Sequence, residues 1–210
     1  MAECGANGLL EWAVAARPIP GESVSGDQWV VRVTDSEALL AVVDGLGHGP
    51  AAAAAAEQAV AVLRENPAEP VEVLLLLCHS ALAGTRGAAV TVASIRATNG
   101  SMSWLGVGNV EAVLLRGVPS GNAPGDSSTE WALLHGGIVG YQLPTLRPRL
   151  VDLQPGDVLM MATDGIARTF AEDASVVAGP ARLADRILDN LARPNDDALV
   201  LVARYGTERS

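Results

Sequence analysis

Residues 38–50 read ALLAVVDGLGHGP and are followed by six alanines; this stretch decides the fold. Its first part, Ala38 to Val43, is wholly apolar and stops at Asp44, which is typical of a buried strand that ends at a turn. Pro50 stands where a first helical residue would be, a position that proline favours. The alanines and the following Glu57 to Arg64 contain strong helix formers. The stretch therefore predicts a strand, a glycine-rich turn and a packed helix.

Strands dominate the rest of the chain, separated by turn-forming residues. The predicted strands are Leu9 to Ala16, Trp29 to Thr34, Ala88 to Ala97, Met102 to Arg116, Trp131 to His135, Arg149 to Leu153, Val158 to Ala162 and Ala198 to Arg204. Two more helices are predicted, Val71 to Ala83 and about Ala181 to Leu191, and Pro119 to Ser128 is predicted as a solvent loop. This order predicts an α+β fold, with an antiparallel core and helices on its outer faces.

Composition narrows the class of protein. The chain has 210 residues, 49% hydrophobic and 18% charged, which excludes intrinsic disorder and favours one domain, 1–210, with a core from about 9 to 205. It carries 24 acidic against 14 basic residues, a net charge of -10, and every basic residue is arginine. Such a surface repels phosphate backbones and argues against nucleic-acid binding. If the protein handles phosphate, bound cations must reverse its local field.

The cysteines, the N-terminus and the apolar stretches of the sequence predict the cellular compartment of the protein. Two cysteines, Cys4 and Cys78, are too few for a disulfide scaffold and are expected to be free thiols in a reducing cytosol. The N-terminus lacks the pattern of a signal peptide, since its first basic residue is Arg17. The longest strongly apolar stretch, Val73 to Cys78, is too short to span a bilayer. We expect a cytoplasmic protein with no membrane contact.

Four aspartates stand at borders between apolar runs and turns. Asp27 precedes the second predicted strand, Asp44 ends the third, Asp164 follows a late strand and Asp196 precedes the last one. Two unit charges 4 Å apart repel by about 4 kcal/mol at an effective dielectric of 20. Converging carboxylates would therefore spread apart, take up protons or hold a cation. An all-oxygen site suits Mg²⁺, Mn²⁺ or Ca²⁺.

An ordered set of motifs carries a family resemblance. Ser25-Gly26-Asp27, the Asp44 to Gly49 stretch before a helix, Ala162-Thr163-Asp164-Gly165 and Asn195-Asp196-Asp197 occur in this order. The set resembles the SpoIIE-type branch of the metal-dependent type 2C serine/threonine phosphatases, from about Leu9 to Tyr205. The resemblance implies an αββα sandwich, in which two antiparallel sheets face each other between helices. It also implies a stand-alone, RsbX-like phosphatase domain without a sensor region.

The resemblance implies site residues and cofactors as well. Asp44 matches a carboxylate that bridges two divalent ions, Mn²⁺ or Mg²⁺, and the Gly45 carbonyl matches a ligand of one of them. Asp164 and Asp196 match the carboxylates on the other ion, with Asp197 as the alternative to Asp196. Asp27 matches an acidic residue near the site that binds metal directly or through water. The chain departs from the family pattern at Ala198 and Leu199, where a threonine is frequent.

Weaker candidates have competing interpretations. His48 either protonates the leaving alkoxide or only orders the loop or caps the helix. Arg17 is the nearest candidate to bind phosphate. The glycines of Gly106-Val107-Gly108-Asn109 lie inside a predicted strand pair, so a nucleotide-binding motif fails on context, and close packing or a bulge is expected. His79 and His135 are expected to be structural.

Three functions follow as hypotheses. The first is hydrolysis of phosphoserine or phosphothreonine by a water that two metal ions activate. For this activity the resemblance implies a phosphorylated STAS-domain protein of a stressosome or similar partner-switching module as substrate. The second is a degenerate phosphatase fold that acts as a protein-binding regulatory module. The third is a structural calcium site without hydrolysis.

Overall fold

The computed structural model describes residues 2–117, 129–172 and 179–206. The strands are β1 (Glu3–Ala6), β2 (Leu10–Arg17), β3 (Asp27–Val33), β4 (Glu37–Gly45), β5 (Ala88–Arg96), β6 (Ser101–Val107), β7 (Glu111–Leu115), β8 (Thr129–Trp131), β9 (Leu134–His135), β10 (Arg149–Asp152), β11 (Val158–Ala162) and β12 (Ala198–Tyr205). The helices are α1 (Pro50–Glu65), α2 (Val71–Ala81) and α3 (Pro180–Leu191), with a 3₁₀ turn at Arg168–Ala171.

These strands form two sheets. The first has the order β1-β2-β12-β11-β7-β8, and the second has the order β10-β6-β5-β4-β3. The pairs along both orders are antiparallel, and the short β9 pairs parallel to β6. The sheets face each other, α1 and α2 cover the second sheet, and α3 covers the first. This confirms the predicted α+β fold and αββα sandwich.

Alternation along the strands assigns each residue to a layer, because successive side chains point to opposite faces. In β4, Leu40 and Val42 pack between the sheets, whereas Leu39 and Val43 pack under α1 and α2. Strand β12 behaves in the same way: its odd-numbered residues from 199 to 203 lie between the sheets and its even-numbered ones from 198 to 202 lie under α3. The core is therefore built in three apolar layers, mostly from aliphatic side chains.

One predicted strand is wrong in an instructive way. Met102 to Arg116 is not a single strand but two, β6 in the second sheet and β7 in the first. The chain leaves one sheet and enters the other at Gly108, whose φ is +100°, a conformation that glycine adopts readily. Gly106 and Val107 thus end β6, and Gly108 and Asn109 begin the crossing between the sheets. The expected close packing is confirmed, because a Cβ on Gly106 would lie 2.5 Å from the Leu134 side chain.

Smaller differences concern short elements. The predicted strand Trp131 to His135 is not continuous. Trp131 ends β8, Leu134–His135 is β9, and these two strands lie in different sheets. Strand β1 and the 3₁₀ turn were not predicted. The predicted loop Pro119 to Ser128 lies outside the described residues. Within the described parts of the chain, no helix combines the length and the apolar character needed to cross a membrane.

Candidate metal centre

Strand pairing brings the four aspartates to one end of the sandwich. Asp27 starts β3 and Asp44 lies near the end of β4, and the two are direct partners in the antiparallel register. In the other sheet, Ala162 at the end of β11 pairs with Val200 near the start of β12. Asp164 follows the end of β11, and residues 196–197 precede β12. Both sheets therefore present carboxylates at the same edge of the layer between them.

A hydrogen bond across the two sheets holds Asp27. Thr163 Oγ1 donates to Asp27 Oδ2 at 2.7 Å, and the same hydroxyl accepts from the backbone N–H of Leu199 at 3.0 Å. Both Asp27 and Thr163 are buried. The bond fixes the carboxyl of Asp27 beside Asp44 and ties the start of β3 to the β11–β12 pair.

Asp196 and Asp197 differ in what their oxygens contact. Asp197 is buried, and its Oδ1 and Oδ2 each accept a backbone N–H at 2.7 Å, from Ile19 and Gly26 respectively. It thereby anchors the segment that leads into β3. Asp196 is half-buried, and among the described residues its one hydrogen-bond donor is the backbone N–H of Asp197, at 3.0 Å to Oδ1. This geometry favours Asp196 over Asp197 as the carboxylate available to a ligand.

Close backbone approaches explain the glycines beside these aspartates. A Cβ on Gly45 would lie 2.2 Å from the carbonyl oxygen of Ala52 in the first turn of α1. A Cβ on Gly165 would lie 1.7 Å from the carbonyl oxygen of Asp197. A Cβ on Gly26 would lie 3.3 Å from the Gly45 carbonyl oxygen. Glycine at these positions lets the two sheets and α1 meet at the site.

Burial and mutual repulsion raise the carboxyl pKa values here. The pKa of Asp44 rises from an ordinary 3.8 to about 7, first because of burial and then because of the charges of Asp164, Asp196 and Asp197. The pKa of Asp27 is raised well above its usual range by burial and by Asp44, against the Thr163 hydrogen bond, which lowers it. Burial and then Asp164 raise the pKa of Asp196. The site concentrates negative charge that a cation would stabilise.

Asn109 is a site residue that sequence reasoning missed. Its Nδ2 donates to Asp164 Oδ2 at 2.7 Å, and its side-chain hydrogen bond lowers the pKa of Asp44. The residue stands between β6 and β7, where the chain crosses from one sheet to the other. From the sequence, Gly108 and Asn109 are considered only as part of a predicted strand pair. A residue within a strand is not expected near the strand ends that carry the aspartates, so Asn109 was missed.

The remaining candidates lie at the rim or away from the site. His48 is exposed, and its Nδ1 lies 3.2 Å from Glu22 Oε1. It does not cap α1, whose N-cap residue, Gly49, has no side-chain capping bond among the described residues. Arg17 donates to the backbone carbonyl of Arg193 at 2.7 Å. Burial raises the pKa of the Cys78 thiol to about 12, so it is no nucleophile.

The donor set fits hard divalent cations. The available donors are carboxylates and a backbone carbonyl beside a glycine, the ligands that Mg²⁺ and Mn²⁺ prefer. The side chains do not form a closed metal site in this structure. Among the described residues, no three acidic, histidine or cysteine side chains lie close enough together to hold one ion. Asp164 is exposed and Asp196 is half-buried, so neither carboxylate is enclosed by the protein.

Comparisons with known proteins identify the family. The sandwich is the fold of the type 2C phosphatase domains. Residues 34–206 match the family described as Stage II sporulation protein E (SpoIIE), and the chain belongs to that family. This confirms the resemblance seen in the sequence motifs. Asp27 lies just before the matched range.

Individual relatives agree with this assignment. The phosphoserine phosphatase RsbX of Bacillus subtilis (strain 168) is 30% identical over 94 residues, which are 45% of this chain and 47% of that protein. A second relative is a structure from a study of the bacterial stressosome as a modular system that has been adapted to control secondary messenger signaling. It is 32% identical in sequence to this chain and has a TM-score of 0.82, and the match covers 93% of this chain and 99% of that one. RsbX in complex with magnesium has a TM-score of 0.85 at 20% identity, over 98% and 100% of the two chains, and supports the fold.

Proposed function

We propose that this protein is a metal-dependent phosphatase that hydrolyses phosphoserine or phosphothreonine on another protein. One observation carries the proposal: Asp27, Asp44, Asp164 and Asp196 converge from both sheets on one end of the sandwich. They lie close enough that Asp44 raises the pKa of Asp27, and Asp164 raises the pKa of both Asp44 and Asp196. Membership of the SpoIIE family and the curated relative, a phosphoserine phosphatase, support it. That relative is matched over about half its length.

The chain's own residues would hold two divalent cations, Mn²⁺ or Mg²⁺. In this proposal Asp44, the Gly45 carbonyl, Asp164 and Asp196 would be the ligands of these ions. Asp27 binds directly or through water. Bound in this way, such ions supply a water of lowered pKa and neutralise the phosphoryl oxygens.

The protein framework would then orient and support these ligands. Thr163 holds Asp27 across the sheets, and Asn109 donates to Asp164. Asp197 anchors the loop that leads into β3 through two backbone N–H groups. The protein has a net charge of -10, so it repels a phosphorylated substrate unless bound cations neutralise the site. Substrate binding would therefore depend on metal binding.

We further propose the substrate class and setting. The structural relative solved in a stressosome study and the RsbX relative favour a phosphorylated STAS-domain protein of such a partner-switching module. The catalytic unit is proposed to be one domain, 1–210, and its location is proposed to be cytoplasmic. His48, at the rim beside Glu22, remains a candidate for protonating the leaving oxygen.

Phosphate release tests the function directly. The purified protein is incubated with an aryl phosphate and with phosphorylated STAS-domain proteins, with Mn²⁺, Mg²⁺, Ca²⁺ or chelator, and mass spectrometry reports which site loses phosphate. We expect Mn²⁺- or Mg²⁺-dependent release that is lost in Asp44→Asn and retained in Asp189→Asn, an exposed control on α3.

Other outcomes support the competing functions. If the protein binds a phosphorylated STAS-domain protein but releases no phosphate with any cation, a binding module replaces the enzyme. If Ca²⁺ strongly raises the melting temperature and no cation supports hydrolysis, the site is a structural calcium site.

A further inference from the structure

Arg86 lies beside the loop that carries the site, in the turn between α2 and β5. Ala88 pairs with Gly45 in the register of β4 and β5, and the backbone N–H of Leu46 donates to the Gly87 carbonyl at 3.0 Å. The turn therefore runs alongside the segment that follows Asp44.

The Arg86 guanidinium lies beside the backbone of Gly47, in the space that a side chain at that position would need. Its Nη1 is 2.8 Å from the position that a Cβ on Gly47 would occupy, so a side chain at 47 would displace it. Gly47 also has a φ of +87°. Glycine at this position therefore serves both the turn and the contact with the guanidinium.

The backbone that presents Arg86 is held firmly. The Thr85 hydroxyl accepts the Gly87 N–H at 3.0 Å and donates to the Leu82 carbonyl at 2.7 Å. A Cβ on Gly87 would lie 2.7 Å from the Val139 carbonyl, so the turn is also packed from the other side. The position of the Arg86 backbone is thus fixed by two neighbours.

Its charge, in contrast, is not used by the fold. Among the residues that the structure describes, Arg86 has no hydrogen-bond or ion-pair partner, and it is exposed. The other arginines near the site are engaged: Arg17 binds the Arg193 carbonyl, and Arg168 pairs with Glu111 at 2.8 Å. Arg193 itself acts on Asp196, whose pKa its charge lowers. Arg86 is therefore an exposed cation on a held backbone, without a partner among the described residues, in an acidic protein.

The distance between Asp44 and Gly47 limits which residue of a bound peptide the Arg86 guanidinium can contact. Asp44 and Gly47 are three residues apart, at most about 11 Å along the chain. In an extended peptide, residues two or three positions apart are separated by about 7 to 10 Å. A peptide whose phosphoserine lies at the Asp44 site would thus carry a side chain two or three positions away to Arg86.

An open groove continues from Arg86 along α1. It has a volume of about 470 Å³ and is lined by Ala51, Ala54 and Gln58 on the helix and by residues 84–86 on the turn. Arg86 is the charged residue among those that line this groove.

We propose that Arg86 is a specificity-determining residue that binds a glutamate or aspartate two or three positions from the phosphoserine of the substrate. This inference rests on the proposed phosphatase function, because the phosphoserine must lie at the Asp44 site. The phosphoryl charge would be neutralised by cations held at the aspartate cluster, and Arg86 meets the second negative charge of the same peptide. A guanidinium suits this role because its planar donors match a carboxylate.

Two matched peptides test the proposal. Both carry phosphoserine; one has glutamate at the second and third positions on either side of it, and the other has glutamine at the same four positions. An aryl phosphate, which lacks peptide contacts, reports on the hydrolytic site alone. The variants are Arg86→Gln and Arg86→Lys, and the control is Arg64→Gln, an exposed arginine in the last turn of α1, about 20 Å along the helix axis from Ala51 at the start of the groove.

We expect the wild-type protein to prefer the glutamate peptide about threefold to fivefold in kcat/KM, the range of an exposed ion pair. Arg86→Gln abolishes this preference through KM, Arg86→Lys retains part of it, and Arg64→Gln leaves it unchanged. Turnover of the aryl phosphate stays within about twofold in all variants, since Arg86 contacts only the peptide.

Two results would overturn the proposal: no preference in the wild-type protein, or an equal loss on both peptides and the aryl phosphate in Arg86→Gln. If no substrate is hydrolysed, the proposed function fails, and fluorescence anisotropy of the labelled peptides then tests Arg86 by binding. A glutamate preference lost in Arg86→Gln supports the contact, and equal binding of both peptides refutes it.

Discussion

Replacing Asp44 by asparagine removes one negative charge from the centre of the cluster while keeping the shape of the side chain. The pKa of Asp44 in the folded protein is about 7, raised from an ordinary 3.8 by burial and by neighbouring carboxylates. The folded state therefore holds a proton that the unfolded state releases. As pH rises from about 4 to about 7, this group lowers the free energy of unfolding, and the loss is complete above pH 7.

The magnitude follows from the same values. A rise from 3.8 to about 7 corresponds to roughly 4 kcal/mol of differential stability, as an upper bound because neighbouring carboxylates relax. In chelator at pH 8, Asp44→Asn is expected to be more stable than the wild type by up to about 4 kcal/mol, or on the order of 10 °C in Tm. At pH 4 the two proteins are expected to differ by much less.

Urea denaturation from pH 4 to pH 8, with chelator, measures this difference, and Asp189→Asn serves as the exposed control. Repeating the series with Mn²⁺ is expected to shrink the advantage of Asp44→Asn, because a cation at 100 times its Kd stabilises the folded wild type by about 2.7 kcal/mol and Asp44→Asn binds it more weakly. If Asp44→Asn is less stable than the wild type in chelator at pH 8, or if the difference does not change with pH, the electrostatic interpretation of the cluster is refuted.

Three further predictions concern neighbouring residues. Gly45→Ala places a Cβ 2.2 Å from the Ala52 carbonyl oxygen, so we expect thermal unfolding to show a loss of about 3 kcal/mol or more, and a near-wild-type Tm would contradict the close approach. Asn109→Ala removes the donor to Asp164, and isothermal titration is expected to show Mn²⁺ binding about tenfold weaker; unchanged affinity would exclude a positioning role. His48→Gln is expected to lower kcat by about 10²-fold on an aryl phosphate if His48 is the general acid, and a loss below about threefold would reduce it to a loop residue that pairs with a glutamate.

The sequence was sufficient to predict the fold class and the strand ends at which the four aspartates stand. Short apolar runs such as Ala38 to Val43 ended at acidic residues, and this local pattern locates strand ends without any knowledge of the packing. Since antiparallel neighbours alternate in direction, the start of β3 and the end of β4 had to lie side by side, which placed Asp27 beside Asp44. Pro50 and the alanine run likewise predicted α1 from helix propensity alone.

Only the tertiary structure decided how the side chains divide their roles. Asp196 and Asp197 are adjacent in sequence, and they differ because Asp197 meets the backbone of residues 19 and 26, more than 170 positions away. Asn109 reached the site because the chain crosses between sheets at Gly108, a turn that looks like continuous strand in the local pattern. Strand periodicity is a property of neighbouring residues, whereas hydrogen bonds across the sandwich depend on how two sheets, formed from distant segments, pack against each other.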